Sequence, residues 1–456
     1  MTSAWVDGVQ VDAEEVKQQI EDAAADVSDA DNVVGELEDA AVALEELSAK
    51  ISENLADENP VVSDTTVNLT RIVAEKSLER IGEVINLPVS MESAATPRER
   101  LMITLEALDG KLAQIWEAIK KALTIAWEAV VKFFKTLFDS ALRVKEAIAK
   151  LREGIKNLNG SEAPTSDKVT GGVVNDVGFE NWKDVNALKQ RLTKFSGGMG
   201  PFLENSKQAI HDVIVSAGNK MVEICKENDN ADIQEAELSK LFATMMMGYS
   251  NLGTKLALAV ADGGRRTDAR SITGVVETMS GEIPGGYRIV AMDFDKNPGR
   301  LTDSQIINVM IGSFVDVERR RYEATEGPAA NESDMVALLD IIEGLVDSVI
   351  ASKDSVSKFE SDIASFRRQA EAAMRDANVE KVGQYGVASY VRTLAGIAPS
   401  LVRQNSKLIS ASVKIANNVV KYVTASAKLY PSFGNKAVDG QTVAPKGTPA
   451  LAAPAA

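Results

Sequence analysis

Between Leu101 and Leu158, apolar side chains recur at Leu101, Leu105, Leu108, Leu112, Ile115, Ile119, Leu123, Val130, Phe134, Leu137, Val144, Ile148, Leu151, Ile155 and Leu158. Steps of three, four or seven residues keep them on one face of an α-helix. Trp116, Trp127, Val131, Phe133, Phe138 and Leu142 widen that face into a broad stripe over 112–142. Glu117, Lys120, Lys121, Lys132 and Lys135 fill the other side. Pro97 suits a first helical turn, whereas Gly110 predicts a break or bend. Unbroken, the helix would be roughly 85 Å long. A stripe so broad needs other helices to cover it, so the chain is expected to be organised around this element.

Helical periodicity also runs over Val11–Leu47 and Leu69–Ile85, with Asn59-Pro60 between them. Asn159-Gly160-Ser161-Glu162-Ala163-Pro164 is a loop. The glycine-rich, β-branched stretch Val169–Phe179 predicts a strand or hairpin arm, and Tyr287–Phe294, after Gly285-Gly286, a strand to pair with it. Val185–Phe195 predicts a short helix stopped by Gly197-Gly198-Met199-Gly200-Pro201, and Phe202–Lys226 and Ile233–Ala261 two more. The second of these includes Met245-Met246-Met247 as core filling. Thr302 with Gln305 marks a capping box, and Ser333 caps a helix reaching about Asp376. A last helix, bent near Pro399, covers Val387–Leu429, and the Gly/Pro/Ala-rich tail after Pro431 is expected to be disordered.

Composition sharpens this into a fold class. Aromatics are sparse and alanine frequent, which favours helices over sheets. The expectation is a mainly α protein, an elongated bundle of long amphipathic helices with a small β-hairpin or short strands in the middle. The units are an acidic segment (1–92), the long central helix (93–160), a mixed region (161–300), a C-terminal bundle (301–432) and a tail (433–456). The longest uncharged run in the central helix, Ala122–Trp127, is far too short to span a bilayer. No basic stretch followed by an apolar one opens the chain, so no secretory signal is expected. The single cysteine, Cys225, excludes an internal disulfide and fits a reducing compartment.

Charge changes the picture further. Residues 1–92 hold 22 Asp or Glu against 5 Lys or Arg, a balance of −17, while residues 93–456 hold 44 against 45, or +1. The whole net charge of −16 therefore sits in one block, suited to masking a basic surface or directing assembly. At the other end, no acidic residue occurs from Val382 to Val438. Lys407, Lys414, Lys421 and Lys428 fall seven apart there, with Arg403 one turn earlier. Heptad spacing puts them on nearly one stripe, which would face solvent, the acidic helix at 334–376, phosphate or the acidic N-terminal segment. The near-neutral charge after residue 92 argues against strong counterion-driven DNA binding by that part alone.

Catalytic chemistry finds no convergent set of residues. His211 and Cys225 share a predicted helix but stand fourteen residues apart, so both are read as structural, and zinc sites of the usual Cys/His kind are excluded by count. Asp293-Phe294-Asp295-Lys296-Asn297 resembles the start of a calcium loop, but Pro298 and Ser304 replace the glycine and glutamate it needs. Arg319-Arg320-Arg321 is expected within a helix, salt-bridged to Glu318 and Glu323. No cofactor is expected. The stripe at Trp116, Ile119, Trp127, Phe134 and Phe138 leaves one alternative, a membrane-active or host-targeting effector, although burial inside a bundle suits so wide a face better.

The segment Ile115-Trp116-Glu117-Ala118-Ile119-Lys120-Lys121-Ala122, followed by Val131-Lys132-Phe133-Phe134-Lys135-Thr136-Leu137-Phe138-Asp139, resembles the internal head proteins of phiKZ-like giant bacteriophages. Met335-Val336-Ala337-Leu338-Leu339-Asp340 and Val420-Lys421-Tyr422-Val423 are similar to that family's closing elements, and the likeness spans most of residues 60–430. It implies a non-enzymatic virion protein, made in the bacterial host cytoplasm and carried in the phage head. It also implies an acidic propeptide removed by the prohead protease, which cuts after glutamate in a Ser/Ala/Gly-x-Glu context. Ser90-Met91-Glu92 fits, with the cut before Ser93; Ser77-Leu78-Glu79 and Ser280-Gly281-Glu282, among others, match too. Glu92 is favoured because Leu-Pro-Val-Ser should be extended and accessible, and because the charge imbalance ends there. Expected partners are the protease, capsid or scaffold, other internal head proteins and packaged DNA; a membrane is not.

Overall fold

The computed structural model describes residues 4–56, 63–79, 96–158, 162–178, 184–227, 253–259, 264–267, 275–294, 315–354 apart from 321, and 385–433. Scattered positions at 233–241 and 358–369 are described too. The protein is mainly α, as the periodicity predicts. Met245-Met246-Met247, the Thr302 capping box and the tail lie outside the described residues.

Helix α1 (Ala4–Ala56) and α2 (Asp64–Glu79) precede α3 (Pro97–Lys156). At 60 residues α3 is about 90 Å long, and it runs through Gly110 without a break. Its start is over-determined: Thr96 accepts from the Glu99 amide, Glu99 reaches back to the Thr96 amide, and Pro97 opens the first turn. Leu101, Leu108, Leu112, Ile115, Val130, Phe134, Leu137, Val144, Ile148, Leu151 and Ile155 are all buried, as their spacing requires.

The middle region departs from expectation. Strand β1 (Lys168–Thr170) gives way to a one-turn helix, α4 (Gly172–Val177), and β1 pairs antiparallel with β6 (Glu326–Pro328), not with the Tyr287 strand. The Tyr287 strand exists as predicted, as β4 (Tyr287–Phe294). It is the third strand of an antiparallel sheet β2-β3-β4-β5, where β2 is Gly264–Thr267, β3 Val275–Met279 and β5 Val315–Arg319. Gly286 (φ 74°) makes the turn into β4, where any side chain would run into the Arg320 carbonyl. Arg319 ends a strand instead of lying in a helix, and it reaches Asp176. Strands thus extend past residue 300 into the region expected to be a helical bundle.

Helix α5 (Val185–His211) runs straight through the glycines and Pro201 that should stop it. An interior proline costs about 3 kcal/mol. Met199, Phe202 and Leu203, buried in the main core with α7 (Glu332–Ala351), offset that cost. A π-helical turn (Asp212–Ser216) then leads into α6 (Ala217–Glu227). The cap of α7 is Asn331, which accepts from the Asp334 amide, and not Ser333.

The last helix, α8 (Tyr385–Ala427), continues through Pro399 and is the true centre of the molecule. Val402, Leu408, Ile409, Val413, Ile415, Val419, Val420, Tyr422 and Val423 are buried, on every side of the helix. Helices α1, α3, α4, α5 and α7 and strands β1 and β5 all pack on it. Its polar side chains are buried as well. Ser412 and Thr424 donate to the carbonyls one turn back, Asn418 donates to the Asp176 carbonyl, and Ser426 accepts from the Ala330 amide.

Candidate functional site

Most of the charged block lies on one helix, α1, with 15 acidic side chains against Lys17 and Lys50. Its inner edge repeats at Val16, Ile20, Ala23, Val27 and Val34, all buried. That edge lies antiparallel along α3. Glu15 pairs with Arg143 at 3.2 Å and Asp26 with Lys132 at 2.7 Å, Val34 shares a small core with Ala122, and Arg98 donates to the Leu55 carbonyl at 3.0 Å. Helix α2 continues the clasp at the far end, where Asp64 meets Arg100 at 3.0 Å.

This face also reaches α8. Glu21 lies 4.0 Å from Lys414, whose side chain is largely buried. Burial pushes the Lys414 ammonium below its ordinary range; Glu21 acts against that, while Arg319 and Lys17 add to it. Helix α1 thus brings both Glu21 and Lys17 to a buried lysine that also has Arg319 as a neighbour.

The remaining stripe residues are placed differently from one another. Lys407 and Lys428 are half-buried and Lys421 is 5 % exposed, so in this structure the lysines face protein; the Arg403 side chain lies outside the described residues. Of the broad stripe on α3, Phe134 and Phe138 are buried with ring centroids 6.1 Å apart. Trp127 is half-buried, and the side chains of Trp116 and Ile119 lie outside the described residues. Among the described residues no helix is long and apolar enough to cross a membrane.

Ser90, Met91, Glu92 and Ser93 lie outside the described residues. The rival tripeptides Ser77-Leu78-Glu79 and Ser280-Gly281-Glu282 do not. Ser77 and Leu78 are buried in the last turns of α2, and Ser280 is buried between β3 and β4, where it accepts from the Ile289 amide. His211 pairs through Nδ1 with Asp362 at 2.6 Å, whereas Cys225 is buried in the core, its carbonyl accepting from Gln234. Among the described residues no cluster could hold a metal ion.

Sequence reasoning missed Glu15, Glu21, Asp26 and Asp64 as the pairing acids, Arg143 and Arg100 as the partners of Glu15 and Asp64, and Arg98 as the donor to the Leu55 carbonyl. Which acids face the body depends on the register of α1 on α3. The inner-edge spacing Val16, Ile20, Ala23, Val27 was the one signal that could have narrowed the choice.

Compared with known proteins, residues 9–425 match the family model of phiKZ-like phage internal head proteins. No curated protein and no solved structure matches the chain.

Proposed function

The chain belongs to the phiKZ-like phage internal head proteins, a structural protein of the phage head, and from that premise we propose that it is made as a precursor whose acidic segment is a removable mask. The observation that carries this reading is the seat of α1: its acids pair with Lys132 and Arg143 on α3 and stand beside Lys414 on α8. Removal of residues 1–92 would take away a charge of −17 and leave those basic groups without their partners. The protein would enter the prohead with capsid, scaffold and other internal head proteins. The prohead protease would then cut after Glu92, and the freed basic groups would turn toward packaged DNA. We read the protein as non-enzymatic.

Two features support Glu92 as the cut. Two of its competitors, at Glu79 and Glu282, follow buried serines, Ser77 in helix α2 and Ser280 in the turn between β3 and β4, which a protease cannot thread without local unfolding. The charge block also ends at Glu92. Intact mass and N-terminal sequencing of the protein from purified particles test the reading. A chain beginning at Ser93 is expected. A full-length chain in particles would eliminate the mask, and absence from particles would point to an effector acting outside the head.

A further inference from the structure

Helix α3 has two kinds of cover. From Lys145 onward the body holds it. Lys145 pairs with Asp347 at 2.6 Å, Arg152 pairs with Asp340 and Glu343, and Leu151 and Ile155 sit in the main core with α7 and α8. Its first half is different. Leu101, Leu108, Leu112 and Ile115 belong to a separate apolar core, whose other members are Ala41, Leu44 and Ile51 of α1 and Val67, Ala74 and Leu78 of α2.

A cut at residue 92 breaks one peptide bond in the connection between α2 and α3, but it removes none of these contacts. If α1–α2 then left, a run of apolar side chains from Leu101 to Ile115 would face water, joined by the inner-edge contacts of Val16, Ile20, Ala23 and Val27 near Val130 and Phe134. The face left behind is apolar, with Arg98, Arg100, Lys132, Arg143 and Lys414 around it. That chemistry fits an acidic amphipathic helix pair and matches α1–α2 along its whole length.

We propose that this face is a binding site for an acidic helix pair, and that α1–α2 stays in it as a non-covalent ligand after the chain is cut. Cutting and unmasking are then separate events. The cut turns an intramolecular clasp into an exchangeable one, and departure requires a competitor, high salt or destruction of the freed segment. The biological use of the site rests on the precursor reading above, but its existence does not.

The test uses the full chain with a recognition sequence for a site-specific protease in place of residues 86–92, cut to completion. At 0.1 M salt both fragments should co-elute on gel filtration, and a fluorescent peptide spanning residues 4–79 should exchange into the cut complex. Charge reversal at the solvent edge (Glu15→Lys, Glu21→Lys, Asp26→Lys together) leaves the apolar contacts intact and should weaken retention about tenfold, less at 1 M salt. Leu44→Asp, in the second core, should weaken it about a hundredfold or more. Immediate separation of the unaltered fragments at 0.1 M salt would overturn the proposal, as would retention indifferent to both variants. Separation followed by salt-sensitive binding of duplex DNA to the body would make the face a nucleic-acid surface and overturn it too. Because the cut is engineered, a particle protein that keeps residues 1–92 would end the precursor reading without touching this result.

Discussion

The two halves of α3 share one periodicity and one continuous backbone, yet they belong to different cores. The half beyond Val130 lies in the main core of the protein, where α7 and α8 pack on it and Val16, Ile20, Ala23 and Val27 of α1 join them. The half before Ile115 is sealed by α1 and α2, helices drawn from the acidic block. A helix can therefore be amphipathic along 60 residues and still be covered by different sets of helices at its two ends. The difference lies in what is attached to the cover, which the stripe itself does not encode.

Truncation of one large side chain in each half gives the widest separation. Phe134→Ala opens a cavity in the main core and should cost about 3–5 kcal/mol. It should lower the melting temperature of the whole protein and the amide protection of α7 and α8 together. Leu108→Ala removes comparable packing, about 2–5 kcal/mol, from the second core. Its effect should be confined to α1, α2 and the first turns of α3 in hydrogen exchange, with α7 and α8 keeping wild-type protection. Equal loss of protection throughout would show that the two cores unfold as one and would erase the contrast.

Tyr422 sharpens the other side. Its hydroxyl donates to the Pro328 carbonyl at 2.6 Å and ties α8 to strand β6. Burial raises the phenol well above its ordinary range; Ser426 acts against that and the Asp334 charge adds to it. With a folded pKa above the unfolded one, the hydroxyl stabilises the fold fully below pH 10 and progressively less as pH climbs toward the folded value. Tyr422→Phe should cost about 1–2 kcal/mol at neutral pH and flatten the loss of stability above pH 10, both read by urea denaturation across pH. Exchange in the α1–α2 clasp should not change.

These contrasts explain what could be read from the chain and what could not. The start of α3 was legible because Pro97 suits a first turn, and β4 because Gly285-Gly286 precedes a stretch of strand composition. Helix α8 was legible as a helix with a lysine stripe, but not as the buried centre, because its Asn and Ser side chains give no sequence signal of burial. Ser412, Asn418, Ser426 and Tyr422 are satisfied by the helix's own carbonyl and by Asp176, Ala330 and Pro328, partners distant in sequence. The stop at Gly197–Pro201 failed because propensity is local, whereas Met199, Phe202 and Leu203 gain their burial from the tertiary core. The clasp was visible as charge but not as geometry. Fifteen acids on one helix leave the choice of Glu15, Glu21 and Asp26 to the register with α3.

That register can be tested at its weakest link. Arg143 and Glu15 pair at 3.2 Å with side chains 44 % and 51 % exposed, so the interaction is screened by water and salt. A double-mutant cycle of Arg143→Ala and Glu15→Ala should return a coupling of about 0.2–1 kcal/mol at low ionic strength, shrinking as salt is added. Neighbouring acids supply the control. Asp22 is exposed on α1 and accepts from Gln18 on its own helix, so its cycle with Arg143 should return no coupling. Coupling of Arg143 to Asp22 instead of Glu15 would mean that α1 sits two turns away from the register described, with a different set of acids against the body. Coupling to Glu15 alone fixes the alignment by which the acidic helix covers α3, and with it the position of Glu21 beside Lys414.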